Sequence, residues 1–105
     1  CVYTDLSMSD FIPNKYNLSQ NFPNPFNPET NISFEIPYLS SVNIDIYNVR
    51  GLKVFSWSYN LIEPGFYNIQ WDGLDLYGNI LPAGIYFYTM EAYDYYEKKK
   101  MILLK

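Results

Sequence analysis

Histidine is absent from this chain of 105 residues, and cysteine occurs once, as Cys1. The first absence removes the commonest general base and the commonest metal ligand. The second excludes an internal disulfide, and together they exclude a Cys–His zinc site. Charge is also scarce. Asp, Glu, Lys and Arg make up 17% of the chain, with a net charge of −4. An acidic domain without a basic stripe argues against nucleic-acid binding. No apolar run approaches the ~20 residues of a membrane-spanning helix, and no secretory leader is visible. No long segment repeats its apolar residues with a helical period, and there is no internal repeat. An initiator Met is lacking too: the chain starts at Cys1 and is expected to be a piece of a longer precursor. A leading Cys is also the residue that carries the lipid of a mature lipoprotein.

Aromatic residues, by contrast, are abundant at 20%, with 12 Tyr and 7 Phe, and apolar residues reach 49%. Flat rings pack well on pleated strands, and Tyr covers a core while leaving its hydroxyl in water. The length suits one domain with one modest core.

Residues 1–17 are polar and aperiodic and are expected to be a linker from an upstream cargo, leading into a domain over 18–105. Leu18 to Pro28 holds three prolines and three asparagines, which forbids a helix and predicts extended chain with turns at Asn-Pro steps. Phe22 and Phe26 are expected to plug this segment onto the core. Ile32, Phe34 and Ile36 then alternate with Ser33 and Glu35, the period of a half-buried strand. Val42, Ile44 and Ile46 repeat the pattern, and Asn48 to Gly51 reads as a tight turn. Phe55, Trp57 and Tyr59 mark a third strand, with a bulge expected where Val54 and Phe55 are adjacent. Tyr67, Ile69 and Trp71 form the inner face of a fourth. A loop over Asp72 to Asn79 precedes a long fifth strand with Tyr86, Tyr88, Met90 and Ala92 inward and Thr89 and Glu91 outward. A hairpin turn is expected at Asp94 to Tyr96 and a last strand at Glu97 to Leu104. Short strands separated by turns about every ten residues predict an all-β, immunoglobulin-like antiparallel sandwich of about six to seven strands.

Four elements become specific in combination: Pro23-Asn24-Pro25-Phe26-Asn27-Pro28, Trp71-Asp72-Gly73, Leu81-Pro82-Ala83-Gly84-Ile85-Tyr86, and the ending Lys100-Met101-Ile102-Leu103-Leu104-Lys105. In this order and spacing they resemble the type A C-terminal sorting domains of the type IX secretion system of Bacteroidetes and related Gram-negative phyla. The resemblance covers about residues 18–105. It implies a non-catalytic domain without a cofactor, placed at the end of a secreted cargo. Such a cargo crosses the inner membrane by a separate N-terminal signal and is read in the periplasm by the outer-membrane type IX translocon. It is then delivered to the cell surface or medium, often with removal of the domain by a sortase-like peptidase. Carried over by position, Pro23, Asn24 and Pro25 form the lead-in turn, and Leu81, Gly84 and Tyr86 match the Leu-x-x-Gly-x-Tyr element. Lys100 and Lys105 bracket the apolar Met101, Ile102, Leu103 and Leu104.

The remaining candidates have bland readings beside the sharp ones. Lys98, Lys99 and Lys100 either protect a terminal edge strand from aggregation or offer a charged handle to the translocon, ahead of an apolar strip a partner could pair with. Such a strand is expected to be the part most easily peeled away, and self-association is plausible. Asp72, Asp75 and Asn79 are weak candidates for calcium, and capping of their own loop is the favoured reading. The acidic residues fall on outward phases or in turns, and without His no Ser-His-Asp triad can form. Tyr3, Tyr38, Tyr47, Tyr77, Tyr95 and Tyr96 could face outward as a sugar platform, although a small sandwich also uses aromatics simply to cover its faces. Two alternatives stand beside the sorting domain. One is a structural or adhesive module like the immunoglobulin-like domain of flagellar hook-capping proteins. The other is a carbohydrate-binding module.

Overall fold

A computed structural model describes residues 12–104. Every strand expected from alternation is present, and a short one precedes them. The seven are β1 (Asn17–Leu18), β2 (Thr30–Ile36), β3 (Ser40–Tyr47), β4 (Lys53–Ile62), β5 (Gly65–Trp71), β6 (Gly84–Ala92) and β7 (Tyr95–Leu103). They form two sheets, in the orders β1-β2-β5 and β4-β3-β6-β7, and every pair is antiparallel. The fold is an all-β immunoglobulin-like sandwich.

The core lies where the alternation put it. Ile32, Phe34 and Ile36 of β2 face Val42, Ile44 and Ile46 of β3 and Tyr86, Tyr88, Met90 and Ala92 of β6, all buried. Each inward position buries apolar surface at roughly 25 cal/mol per Å², and a one-residue slip would turn the whole set to water. That fixes the register. The outer face of the three-stranded sheet is a ladder of polar contacts instead, with Asn68 bonded to Ser33 and Asn31 and Gln70 to Glu29.

The expected bulge lies at Val54. Ile46 opposes Phe55 while Tyr47 opposes Lys53, leaving Val54 as the extra residue. Two expectations need correction. Phe22 does not plug the core: it is 78% exposed, and the buried residue of that step is Asn21. The last hairpin turns at Tyr93-Asp94, because Ala92 pairs directly with Tyr95, so β7 begins two residues earlier than expected. Tyr93 takes φ +56°, a left-handed conformation that hides it from turn rules built on Gly and Asn. Thr89, on the outward phase of the central strand β6, is buried because its register neighbours Asp45 and Lys98 flank it.

Between β1 and β2, both in the three-stranded sheet, the chain reaches across to β7 of the other sheet at Phe26 and returns, and Tyr88 fastens this crossing. Its hydroxyl donates to Ser19 O and accepts from Asn21 N, each at 2.7 Å. Burial pushes the Tyr88 phenol up to about 12 from the ordinary 10, against the lowering effect of the Asn21 amide. Tyr86 and Tyr59 are raised by burial, and Tyr95 by burial and then the charge of Glu97.

A raised phenol contributes stability that is complete below pH 10 and is lost as pH climbs through the folded value. Unfolding midpoints of the wild type should therefore fall between pH 10 and about 12. Tyr88→Phe should flatten that fall. At neutral pH it should also cost about 1–3 kcal/mol, because it leaves the buried partners Ser19 O and Asn21 N unbonded. Urea melts of both proteins at neutral and alkaline pH measure both effects.

Candidate functional site: the motif end of the sandwich

The four sequence elements, spread over residues 23–104, meet at one end of the fold around β7. The inward residues Met101 and Leu103 are 0% and 2% exposed, part of the core. Their neighbours Lys100, Ile102 and Leu104 turn their backbone groups away from β6, as alternation in an antiparallel pair requires. These outward groups would be orphans of an edge strand, and residues 20–26 bond four of them. Phe26 N donates to Ile102 O at 3.0 Å, and Leu104 N donates to Phe26 O at 2.8 Å. Asn24 Oδ1 accepts from Ile102 N at 3.0 Å, and Gln20 Nε2 donates to Lys100 O at 2.8 Å. Phe26 thus forms a single parallel bridge to Leu103 at the end of β7, after the bends of residues 23–25.

The ring of Phe26 anchors this segment. It is buried, 5.8 Å from the ring of Trp71, which in turn meets Tyr86 edge-on at 5.9 Å. Trp71 Nε1 donates to Leu74 O at 3.0 Å, closing the Asp72–Gly73 corner. Gly73 has φ +79°, which a side chain would strain, and its Cα faces Pro28 O and the Leu103 methyls. Leu81 N donates to Gly73 O at 3.1 Å, and Tyr86 Oη donates to Pro82 O at 2.7 Å. Gly84, at φ +151°, opens β6 opposite Leu103. The result is a groove of about 360 Å³ lined by Pro28, Leu74, Ile80, Leu81 and Leu104.

The site residues expected from sequence divide accordingly. Pro23, Asn24, Pro25, Leu81, Gly84 and Tyr86 are brought together with Met101 to Leu104 at this end. Lys98, Lys99 and Lys100 lie further back along β7. Lys98 Nζ sits 4.9 Å from the centre of the Phe87 ring, and Lys99 pairs with Glu97 at 3.8 Å. Lys105 and Cys1 lie outside the described residues, as does the linker up to residue 11. Tyr16 and Asn17, assigned to that linker, already pack: Tyr16 stacks on Tyr95 at 5.6 Å and Asn17 opens β1. The notion of an easily peeled last strand is corrected. β7 is paired along its whole length on one side and fastened at its end on the other.

Asp75 and Asn79 share a loop turn away from Asp72. Asp75 Oδ1 accepts from the amides of Tyr77 and Asn79, each at 2.9 Å, while Asp72 Oδ1 accepts from Leu74 N at 3.3 Å. The Asn79 amide, followed by that of Tyr77, holds the Asp75 carboxyl below its ordinary range despite some desolvation. The carboxylates cap their own loop. Among the described residues no three acidic, Cys or His side chains gather as a metal would need. Of the tyrosines, Tyr38, Tyr77 and Tyr96 are exposed, Tyr47 and Tyr95 half-buried, and Tyr3 lies outside the described residues. Sequence reasoning missed Gln20 and Asn21. Asn21 is buried and bonds Pro23 O and Thr30 Oγ1, and its place ahead of the first proline was the available sign.

The family model described as secretion system C-terminal sorting domain matches residues 20–104. No curated protein matches the chain. Among solved structures it is similar to dimeric latent PorU from Porphyromonas gingivalis, at 24% identity and TM-score 0.66, over 81% of this chain and 9% of that one. It is similar to FlgD from Xanthomonas campestris, a hook-capping protein, at 23% identity and TM-score 0.58, over 92% and 72%. It is also similar to PorZ, an essential surface component of the type-IX secretion system of Porphyromonas gingivalis, at 17% identity and TM-score 0.53, over 86% and 11%. The chain thus spans about a tenth of the PorU and PorZ chains it matches. These likenesses establish the fold.

Asn24→Ala should cost about 0.5–1.5 kcal/mol and speed hydrogen exchange at Ile102 N above all other amides of β7. Phe26→Ala should cost about 3–5 kcal/mol and release Leu104 N as well. Amide exchange followed by NMR, beside a denaturant melt, reads both.

Proposed function

This chain belongs to the secretion-system C-terminal sorting domains, and from that premise we propose that it directs an upstream cargo protein through the outer-membrane type IX translocon to the cell surface or medium. The translocon reads the domain in the periplasm, and a sortase-like peptidase removes it within the linker ahead of Leu18. The domain is the address and performs no chemistry itself. Its working parts are Met101 to Lys105 together with the residues that hold them, Asn24, Phe26, Trp71, Gly73 and Leu81.

One observation supports this most: the four motifs, far apart in the chain, converge on the last strand. A scaffold alone needs no such concentration of specific residues at one end. The terminal sequence is then presented as a folded edge rather than as a loose tail. The likeness to hook-capping FlgD favours a structural module as the second reading, but it extends to the fold only.

The test is a periplasmic reporter fused ahead of the full 105 residues in a host that has this secretion system. Deleting Met101 to Lys105 should abolish export. Phe26→Ala, which leaves the terminal sequence intact, should lower it severalfold by loosening the strand. Unchanged export after the deletion would sink the sorting role. Normal export by Phe26→Ala with loss on deletion would show that the linear sequence, not the folded end, is read.

A further inference from the structure

The outer edge of β7 is covered only in part. Its covered groups are Lys100 O, Ile102 N and O, and Leu104 N. The β6–β7 register is unbroken from Gly84–Leu103 to Ala92–Tyr95, so Tyr96 and Lys98 point their backbone groups outward as Ile102 does. Among the described residues, nothing bonds to Tyr96 N and O, Lys98 N and O, or Lys100 N on that edge. These five groups lie in one row, directly in line with the edge groups that residues 20–26 bond. Their side chains are exposed.

The charges along this row identify what fits it. Lys98 and Lys100 flank the open edge, in a chain whose net charge is −4. Lys98 rests over Phe87, and Lys100 has no ion-pair partner among the described residues. A second copy pairing β7 against β7 would bring lysine against lysine, which opposes association. The other long edge strands are different. β4 shows Ser56, Ser58 and Asn60 outward, and β5 shows Phe66, Asn68 and Gln70, so neither edge has a comparable charge. We infer that the open edge Tyr96–Lys100 takes an extended acidic segment of a partner protein by strand addition, continuing the line that the Phe26 bridge begins. Main-chain bonds supply the pairing, and alternate acidic side chains on the incoming strand face Lys98 and Lys100. This names the partner chemistry of the sorting signal and relies on that reading for its biological meaning; the pairing itself stands or falls on its own.

The experiment uses the full 105-residue chain, labelled with ¹⁵N, and a capped heptapeptide that alternates Glu with Val. Expected are amide shifts and slowed exchange at Tyr96, Lys98 and Lys100, with Ile102 and Leu104 unchanged because they are already bonded. The peptide with Lys in place of Glu should bind at least about tenfold more weakly, and Lys98→Glu/Lys100→Glu should reverse the preference. Equal binding of both peptides, shifts elsewhere, or no binding would overturn the proposal and leave the lysines as edge protection. Slow exchange of Tyr96 and Lys98 in the free chain would overturn it too, since the chain would then cover its own edge. None of these outcomes depends on export, so failure here and failure of the sorting role are told apart.

Discussion

Phe26 joins two requirements that a terminal edge strand cannot meet by itself. Its backbone bonds Ile102 and Leu104 on the side of β7 that faces away from the sheet, and its ring is buried against Trp71. The ring holds the backbone in place, and the backbone relieves groups that would otherwise have only water. Prolines around it make the arrangement affordable. Pro23, Pro25 and Pro28 have φ fixed in advance, so less chain freedom is lost when the segment orders. Trp71 depends on the same contact in turn, since one face of its ring would be open without Phe26. The Gly73 corner and Leu81 then close on Trp71 and Leu103.

The same segment joins the two sheets. β1 pairs with β2 in the three-stranded sheet, and a few residues later Phe26 pairs with β7 in the other. Between them the chain passes the lip of the sandwich, where Ser19 and Phe22 still bond to β2 and the groups between need other partners. Tyr88 and Asn21 bond them there, and Thr30 Oγ1 donates to Pro23 O at 2.8 Å. No buried side-chain nitrogen or oxygen among the described residues lacks a partner. Buried polar groups of this kind stabilise a crossing only when all are satisfied, because one missing bond leaves a desolvated dipole. The crossing and the bonds of Phe26 to β7 lie on one short stretch of chain, residues 19–26.

Alternation made the inward faces of β2, β3, β5 and β6 legible, because a sheet with one buried face must repeat every two residues. The Val54 bulge was legible for the same reason, as a break in that repeat. What could not be read locally was decided by distant partners. Phe22 and Phe26 sit in the same kind of Asn-Pro context, and only the position of Trp71 makes Phe26 the buried one. Tyr93 occupies a left-handed turn position that residue preferences assign to Gly or Asn. The terminal strand is the clearest case. An apolar ending preceded by lysines reads as an exposed and detachable edge until the residues bonded to its far side are known, and these come from about eighty positions earlier in the chain.

The composition of β7 follows the same division. Toward its covered end, Met101 and Leu103 turn into the core by alternation. Where the edge is open, Tyr96, Lys98 and Lys100 face water, and charge discourages pairing with a like strand. Core and surface positions are therefore interleaved residue by residue. Met101 and Leu103 belong to the core, while Ile102 and Leu104 turn toward solvent and the groove. Truncation removes both sets at once and also strands Asn24 and Phe26 without partners. Only the outward set can change without disturbing the packing, so under the proposed sorting role these positions and the open edge behind them are where one domain can differ from another in what it presents to a partner.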